Sequence, residues 1–317
     1  MKKIFTISTI ALFVASIILL LVSYGYHLSK AKEMDKNKQA VNTVNFGTAV
    51  SANCQKSNTT ALVGGDVYLV DTLGNKKLFV SFQDLLADHA NCAEYHNGNV
   101  YVIRRINYES YPDPNDDWTD ELWKINGNKT EQKLFSARGL NFKVSPDESI
   151  IILGYGDGGN EIALMDASTK EIRNISKEEL GATDGAGIQF EGWSDDSEKF
   201  WGQLYHTEKP TYFSISKQTG EISIYDSPHS FYEEHALNFN TGIVAYSEYP
   251  FLFDTETEKE YLESEANVNF YLYNLLTKEK KLIATSVVKK FEPTWIADNT
   301  VEYNNPEYED RLTLRIK

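Results

Sequence analysis

Positive charge is scarce in this chain. Against 46 Asp and Glu it carries 31 Lys and Arg, a formal net charge of −15 over 317 residues. The first 30 residues hold Lys2, Lys3 and Lys30 and no acid, so residues 31–317 sum to 28 − 46 = −18. Such a surface repels phosphate backbones, and no basic stripe offsets it, which excludes nucleic acid as a partner. The acidity keeps the chain soluble, or it attracts a cation or a basic partner. Proline is also sparse (8 residues) and the 19 glycines are dispersed, which rules out collagen-like and low-complexity architectures. Only two cysteines, Cys54 and Cys92, are present, too few for a disulfide framework. They form one bridge if the domain is exported, or stay as two buried thiols.

Catalytic signatures are missing as well. There is no G-x-S-x-G elbow, H-E-x-x-H helix, P-loop or EF-hand spacing. No cofactor is therefore expected, and a binding role is preferred to an enzymatic one. The six histidines are scattered; His206, His229 and His235 fall near turns without metal-ligand spacing and read as surface residues. Two acidic clusters, Asp113, Asp116, Asp117, Asp120 and Asp157, Asn160, Glu161, could hold Ca²⁺, but solvated acidic loops are commoner, so the metal question stays open. Three N-x-S/T sequons, at Asn58, Asn128 and Asn174, matter only in a eukaryotic secretory host.

One long apolar run exists. After Met1-Lys2-Lys3, residues Ile4 to Tyr26 carry no charge. A helix of that length, at about 1.5 Å per residue, spans a hydrocarbon core of roughly 30 Å, whereas signal-peptide cores are shorter. Residues 1–26 are therefore read as a signal anchor, 27–45 as a polar tether, and 46–317 as the folded domain. Cleavage before Tyr26, after the small residues Ser23 and Gly25, is the alternative and would leave a secreted or periplasmic protein. Lysines on both sides of the run leave the positive-inside count undecided. The short basic start favours a single-pass protein with its domain on the extracytoplasmic side.

The rest of the chain repeats. Aromatics make up 13%, with 19 Tyr and 16 Phe, residues suited to pleated, half-buried surfaces. One hairpin type reads apolar-x-apolar-x-Asp, a polar turn, then a second strand: Val67–Asp71 with Lys77–Phe79, Leu122–Asn126 with Lys133–Phe135, Ile162–Asp166 with Glu171-Ile172, Tyr212–Ser216 with Glu221-Ile222, and Phe270–Asn274 with Lys281–Ile283. Between these runs a second type, marked by turn residues at 98, 147, 196, 242 and 298 and so spaced by 49, 49, 46 and 56. Two alternating hairpins per interval make four strands per repeat, the anatomy of a β-propeller blade.

The stretch Phe142-Lys143-Val144-Ser145-Pro146-Asp147-Glu148-Ser149-Ile150, continuing through Gly156-Asp157-Gly158-Gly159-Asn160-Glu161-Ile162-Ala163-Leu164-Met165-Asp166, resembles the WD-like repeat of TolB-type proteins. Glu148 stands where that pattern has Gly, and Ala163 where it has an aromatic. The repeat around Trp193 resembles it to a lesser degree. Its Ser194-x-Asp196 with Trp201 is also similar to a sialidase Asp box, but fits the TolB-type turn better and is read as structural. The resemblance implies a six-bladed propeller that serves as an interaction platform in the cell envelope. Such domains also accompany peptidases, but this chain ends within its last repeat and no peptidase domain is expected. The repeat bookkeeping allows five blades or six. Six uses both leftover stretches, with Val44–Val50 completing the last blade. The expected fold is thus an all-β propeller of four-stranded blades behind a transmembrane helix.

The longest insert, Asn107–Glu121, sets Tyr108, Tyr111 and Trp118 among acids, and such aromatics make contact surfaces. The expected function is a membrane-tethered platform for an envelope protein, a small molecule or a glycan. The alternative is a propeller enzyme acting on glycans or envelope polymers, which would need two carboxylates set across a pocket.

Overall fold

The computed structural model describes residues 60–63, 66–81, 89–106, 119–156, 161–182, 186–205, 211–229, 234–249, 267–287, 291–304 and 310–316. These hold 22 strands in six antiparallel sheets, each a simple meander. The first sheet is β1 (Thr60–Val63), β2 (Asp66–Val70) and β3 (Lys76–Val80). The second is β4 (His89–His96), β5 (Asn99–Ile106), β6 (Thr119–Ile125) and β7 (Glu131–Ala137). The third is β8 (Asn141–Val144), β9 (Ile150–Tyr155), β10 (Glu161–Asp166) and β11 (Ile172–Ile175). The fourth is β12 (Gly187–Trp193), β13 (Lys199–Tyr205), β14 (Thr211–Ser216) and β15 (Ile222–Asp226). The fifth is β16 (His235–Asn238), β17 (Ile243–Glu248), β18 (Val268–Asn274) and β19 (Lys280–Ser286), and the sixth is β20 (Thr294–Ala297), β21 (Thr300–Asn304) and β22 (Arg311–Arg315). No helix among the described residues is long and apolar enough to cross a membrane. Residues 4–26, the expected anchor, and 44–50, the expected closing strand, lie outside the described residues.

The repeat spacing read from the sequence is realised as hydrogen bonds between successive sheets. Asn97 Nδ2 donates to Pro146 O (3.2 Å), the Asp147 N–H to Ser197 Oγ (3.0 Å), the Asp195 N–H to Asn240 Oδ1 (2.7 Å), and Asn238 Nδ2 to Asp298 O (3.1 Å). The turns between first and second strands therefore sit side by side at one end. Two of them are the same structure. Ser145 Oγ donates to Asp147 Oδ1 and accepts from the Ile150 N–H; Ser194 Oγ donates to Asp196 Oδ1 and accepts from the Lys199 N–H. Each places its fourth residue, Glu148 (φ 59°) or Ser197 (φ 64°), in the left-handed region that glycine favours. Glu148 is retained there by its side chain, which accepts from Tyr101 Oη (2.7 Å), Asn99 Nδ2 (2.8 Å) and Lys124 Nζ (3.0 Å) of the preceding sheet. The sialidase-like segment is thus a turn lock, as the structural reading expected.

First strands also lie beside first strands. Thr60 Oγ1 donates to Ala93 O (2.7 Å), Trp193 Nε1 to Lys143 O (3.2 Å) and Trp295 Nε1 to Ala236 O (3.0 Å), so side chains satisfy carbonyls that have no ladder partner on that edge. The core is a series of layers, one between each pair of neighbouring sheets. Tyr101, Ile103 and Leu122 meet Phe142, Ile151 and Leu153; Ile152 and Ile162 meet Phe190, Phe200 and Phe213; Trp201 and Tyr212 meet Leu237, Val244 and Tyr246. Strand alternation sends one set of side chains to each neighbour, so sheets buried on both faces need apolar residues at nearly every position, as in β9 and β13. Full burial of a side chain such as Phe213 stabilises by about 1.5–3 kcal/mol. Gly202 faces Phe213 across the β13–β14 pair, and a Cβ there would lie 2.2 Å from the ring, so glycine is what lets the phenyl group lie over the strand.

Candidate functional site

The end opposite the turns carries the variable part of the chain. Second strands pass to third strands there through segments of 12 (107–118), 5 (156–160), 5 (206–210), 19 (249–267) and 6 (305–310) residues. The aromatic candidates Tyr108, Tyr111 and Trp118 fall in the first of these, outside the described residues. Asp113, Asp116, Asp117, Asp157 and Asn160 of the acidic clusters also lie outside. Asp120 is described, and it is committed: buried at the start of β6, it takes a two-pronged ion pair from Arg105 (2.8 and 3.1 Å) and accepts from the Leu140 N–H (3.1 Å). Among the described residues no group of three His, Cys, Asp or Glu is placed to hold a metal ion. Cys92 is buried on β4, in the layer with Tyr101 and Phe142, and is not a free thiol. Cys54, its expected partner, lies outside the described residues.

Ionisable groups gather on the first strands of consecutive sheets. Glu94 of β4 is buried and takes Lys143 Nζ of β8 at 3.0 Å, His96 Nε2 at 3.2 Å and the Val144 N–H at 3.1 Å. Burial pushes its pKa up, but His96, the Lys143 charge and the Val144 amide outweigh burial and hold it below the usual carboxylate range. Glu191 of β12 is equally buried, and its pKa moves the other way. Burial raises it, and the His235 charge, a hydrogen bond from Gln189 Nε2 (3.0 Å) and the more distant Lys143 only partly offset this. Glu191 is also the extra residue of a β-bulge: the β12–β13 register runs Phe190↔Gly202 and then Gly192↔Trp201. A bulge re-aims a side chain that strict alternation would send elsewhere.

Beside Glu191 a polar row crosses the fourth sheet, in the register Gln189↔Gln203↔Tyr212↔Tyr225. It shares its face with Trp201, which packs with Tyr212 against the fifth sheet. Tyr212 Oη and His229 Nε2 are 2.8 Å apart, and the His229 ring stacks on His235 (centroids 4.2 Å, planes 24° apart) and lies 5.6 Å from Tyr246. Burial and the Glu191 charge hold the Tyr212 phenol well above its ordinary pKa, so it stays protonated. Gln203 is completely buried, and neither its amide oxygen nor its amide nitrogen has a hydrogen-bond partner among the described residues.

This arrangement corrects one expectation. His229 is not a surface residue; it is 3% exposed and hydrogen-bonded inside the sheet interface. The residues after β15 turn back into the structure, with Ser227 Oγ donating to His229 O (3.0 Å). His206 lies outside the described residues. Gln203, Tyr212 and Glu191 had no signal in the sequence, because they come from three strands and form no local motif.

No family model matches this chain, and no curated protein matches it. Solved structures do. The chain is similar to an oligogalacturonate lyase from Vibrio parahaemolyticus at 11% identity, over 80% of this chain and 72% of that one, with a TM-score of 0.57. It is similar to the β-propeller domain of the Trilobed protease from Pyrococcus furiosus at 10% identity, over 72% and 68%, with a TM-score of 0.50. It is also similar to TolB from Acinetobacter baumannii at 15% identity, covering 79% of this chain and 59% of that one, with a TM-score of 0.46; it thus spans less than two thirds of that protein. Six consecutive meander sheets, first strand beside first strand, with likeness to a solved β-propeller domain, make the fold of the described residues a β-propeller.

Proposed function

We propose that this chain is a binding platform: a six-bladed propeller, tethered by residues 4–26 on the extracytoplasmic side of a membrane, that presents its long-connection end to an envelope protein or a glycan. The observation that carries the reading is the asymmetry of the two ends. One is locked turn to turn by hydrogen bonds and has no length to spare; the other spends 12 and 19 residues on two of its connections. Rigid scaffolds that carry function on loops are built this way. Six sheets, two of them three-stranded among the described residues, support six blades, with 44–50 available as a closing strand. The test is a capture experiment from detergent-solubilised envelope, comparing the full chain with a variant whose residues 107–118 are replaced by a short Gly-Ser turn. Loss of a reproducible partner supports the platform; a partner indifferent to the replacement, or none at all, sinks it.

A second reading rests on the polar row. Glu191, Tyr212 and His229 form a buried set able to exchange protons, and two of the similar structures are oligogalacturonate lyases, one of them in complex with manganese. In this reading the chain acts on an acidic or neutral glycan. A panel of uronate-containing and neutral polymers, followed by release of unsaturated or reducing ends, decides it: activity unaffected by Tyr212→Phe would remove this site from the chemistry.

A further inference from the structure

Five apolar layers join the six sheets in sequence, and among the described residues no sixth layer joins the sixth sheet back to the first. The strand patterns give the reason. Where a sheet is covered on both faces, its second strand is buried without interruption, as at residues 151–154 of β9 and 244–247 of β17. In β21 burial alternates instead: Val301 and Tyr303 are buried, whereas Thr300, Glu302 and Asn304 are half-buried. The register continues this split across the sheet. Trp295, Val301 and Leu314 share the face turned to the fifth sheet; Thr294, Glu302 and Thr313, with Thr300, Arg315, Asn304 and Arg311, share the other. Arg311 braces this second face, donating to Glu302 Oε2 (2.8 Å) and Asn304 Oδ1 (3.0 Å). An antiparallel sheet with one apolar and one polar face suits water on the polar side. Exposure agrees: β20 and β22 are mostly exposed, while β8 and β10, at the same places in the third sheet, are mostly buried.

We infer that the sixth sheet detaches from the ring as a unit, opening the propeller at the seam between its sixth and first sheets. In a stack of repeats an interior sheet is held by two interfaces and an end sheet by one, so an unsealed ring opens from an end. The two sides of the seam are unequally held. The first sheet has its apolar layer with the second and a hydrogen bond from Thr60 Oγ1 to Ala93 O (2.7 Å). Next to Ala93, Cys92 is not a free thiol, and the one other cysteine of the chain, Cys54, precedes β1. The sixth sheet has a single layer, in which Phe291, Trp295, Val301 and Tyr303 meet Ala245 and Phe270. Hydrogen bonds from Trp295 Nε1 to Ala236 O (3.0 Å) and from Asn238 Nδ2 to Asp298 O (3.1 Å) run beside it. Opening uncovers the Phe270 face of the fifth sheet and gives access to the first strands from the side. This device is independent of the platform reading.

The experiment is native-state hydrogen exchange of the full, non-reduced chain, read by mass spectrometry over a series of low urea concentrations. Amides of β20, β21 and β22 are expected to exchange at least about tenfold faster than those of β9, β10, β13 and β14, through an opening that urea promotes well before the rest unfolds. Tyr303→Ala hollows the single layer, so exchange in β20–β22 rises by about a further hundredfold while the third and fourth sheets stay as they were. Val301→Ala acts in the same direction to a smaller extent, and serves if the tyrosine variant folds poorly. Wild-type protection of β20–β22 equal to that of the third and fourth sheets would overturn the inference: the ring is then sealed, as a closing strand from 44–50 would seal it. Fast exchange that urea does not promote would overturn it too, being local fraying, and so would a variant that lowers protection as much in the third and fourth sheets as in the sixth. Partner capture does not enter the measurement, so the platform reading stands or falls separately.

Discussion

Glu94 and Glu191 occupy matching places in the second and fourth sheets, each three residues before the first turn of its sheet, at Asn97 and Ser194 respectively, and each as buried as the other. Lys143 lies on the first strand between them. Yet one carboxyl is held below its ordinary pKa and the other above it. Burial is equal, so burial does not decide the difference. Partners decide it: Glu94 takes a lysine at 3.0 Å, a histidine at 3.2 Å and a backbone amide at 3.1 Å, whereas Glu191 takes a hydrogen bond from a neutral glutamine at 3.0 Å. The Glu94 site is a structural clamp between the second and third sheets. The Glu191 site keeps a proton at higher pH, beside a polar row that is incompletely satisfied.

The largest way to break this comparison is to remove the group both sites share. Lys143→Met takes its lysine partner from Glu94 and the more distant charge from Glu191. Removing one partner of a buried ion pair typically costs about 3–5 kcal/mol because a charge is left behind. Denaturant unfolding should show a loss of that order, most of it from the Glu94 side. A loss under about 1 kcal/mol would mean that Lys143 does not neutralise Glu94 in solution.

A second perturbation reaches the Glu94 strand alone. Cys92 lies two residues before Glu94 on β4, and the only other cysteine in the chain is Cys54. A Cys54–Cys92 bridge closes a loop of 92 − 54 + 1 = 39 residues. The chain-entropy model assigns such a loop roughly 3–4 kcal/mol, with measured values often smaller. Reduction, or the double Cys→Ser variant, is expected to lower the melting temperature and to leave Glu191 chemistry unchanged. Alkylation of both thiols in non-reduced protein from its native host would show that no bridge exists, and would remove one support for export.

How much of this was legible in the sequence depends on the range of the interaction. The turns were readable because Ser145 with Asp147, and Ser194 with Asp196, close their hydrogen bonds within five residues. The hairpin runs were readable for the same reason, and β5, β9, β10, β13 and β14 lie where the alternating patterns placed strands. The short β1 at Thr60–Val63 was not singled out, since it carries no turn marker of its own. The Glu94–Lys143 pair spans 49 positions, and the polar row gathers residues 189, 191, 203, 212, 229 and 235 from several strands. Nothing local distinguishes Gln203 from an exposed glutamine, or His229 from a histidine on a surface loop. Their burial is a product of packing between sheets.

The smallest effect is also the one that separates the two carboxyls by sign. For Glu94 the folded pKa is depressed, so the carboxylate contributes stability above its unfolded value of about 4.3, and that contribution is lost as pH falls through the folded pKa. For Glu191 the folded pKa is raised. The folded state then holds a proton that the unfolded chain gives up near 4.3, so stability declines as pH rises from there to the folded value and stays lower above it. Neutral isosteres make the contrast measurable. Glu94→Gln removes a carboxylate that three groups stabilise and should destabilise the protein by about 2 kcal/mol at pH 7. Glu191→Gln removes a poorly compensated buried charge and should stabilise by up to about 1 kcal/mol at pH 7, with the gain vanishing near pH 4, where the wild-type carboxyl is itself protonated. Urea midpoints for both variants across that range give the answer. Midpoints that move in the same direction at pH 7 would mean that the partners around Glu191 match those around Glu94, and that the bulge at residues 190–192 serves packing alone.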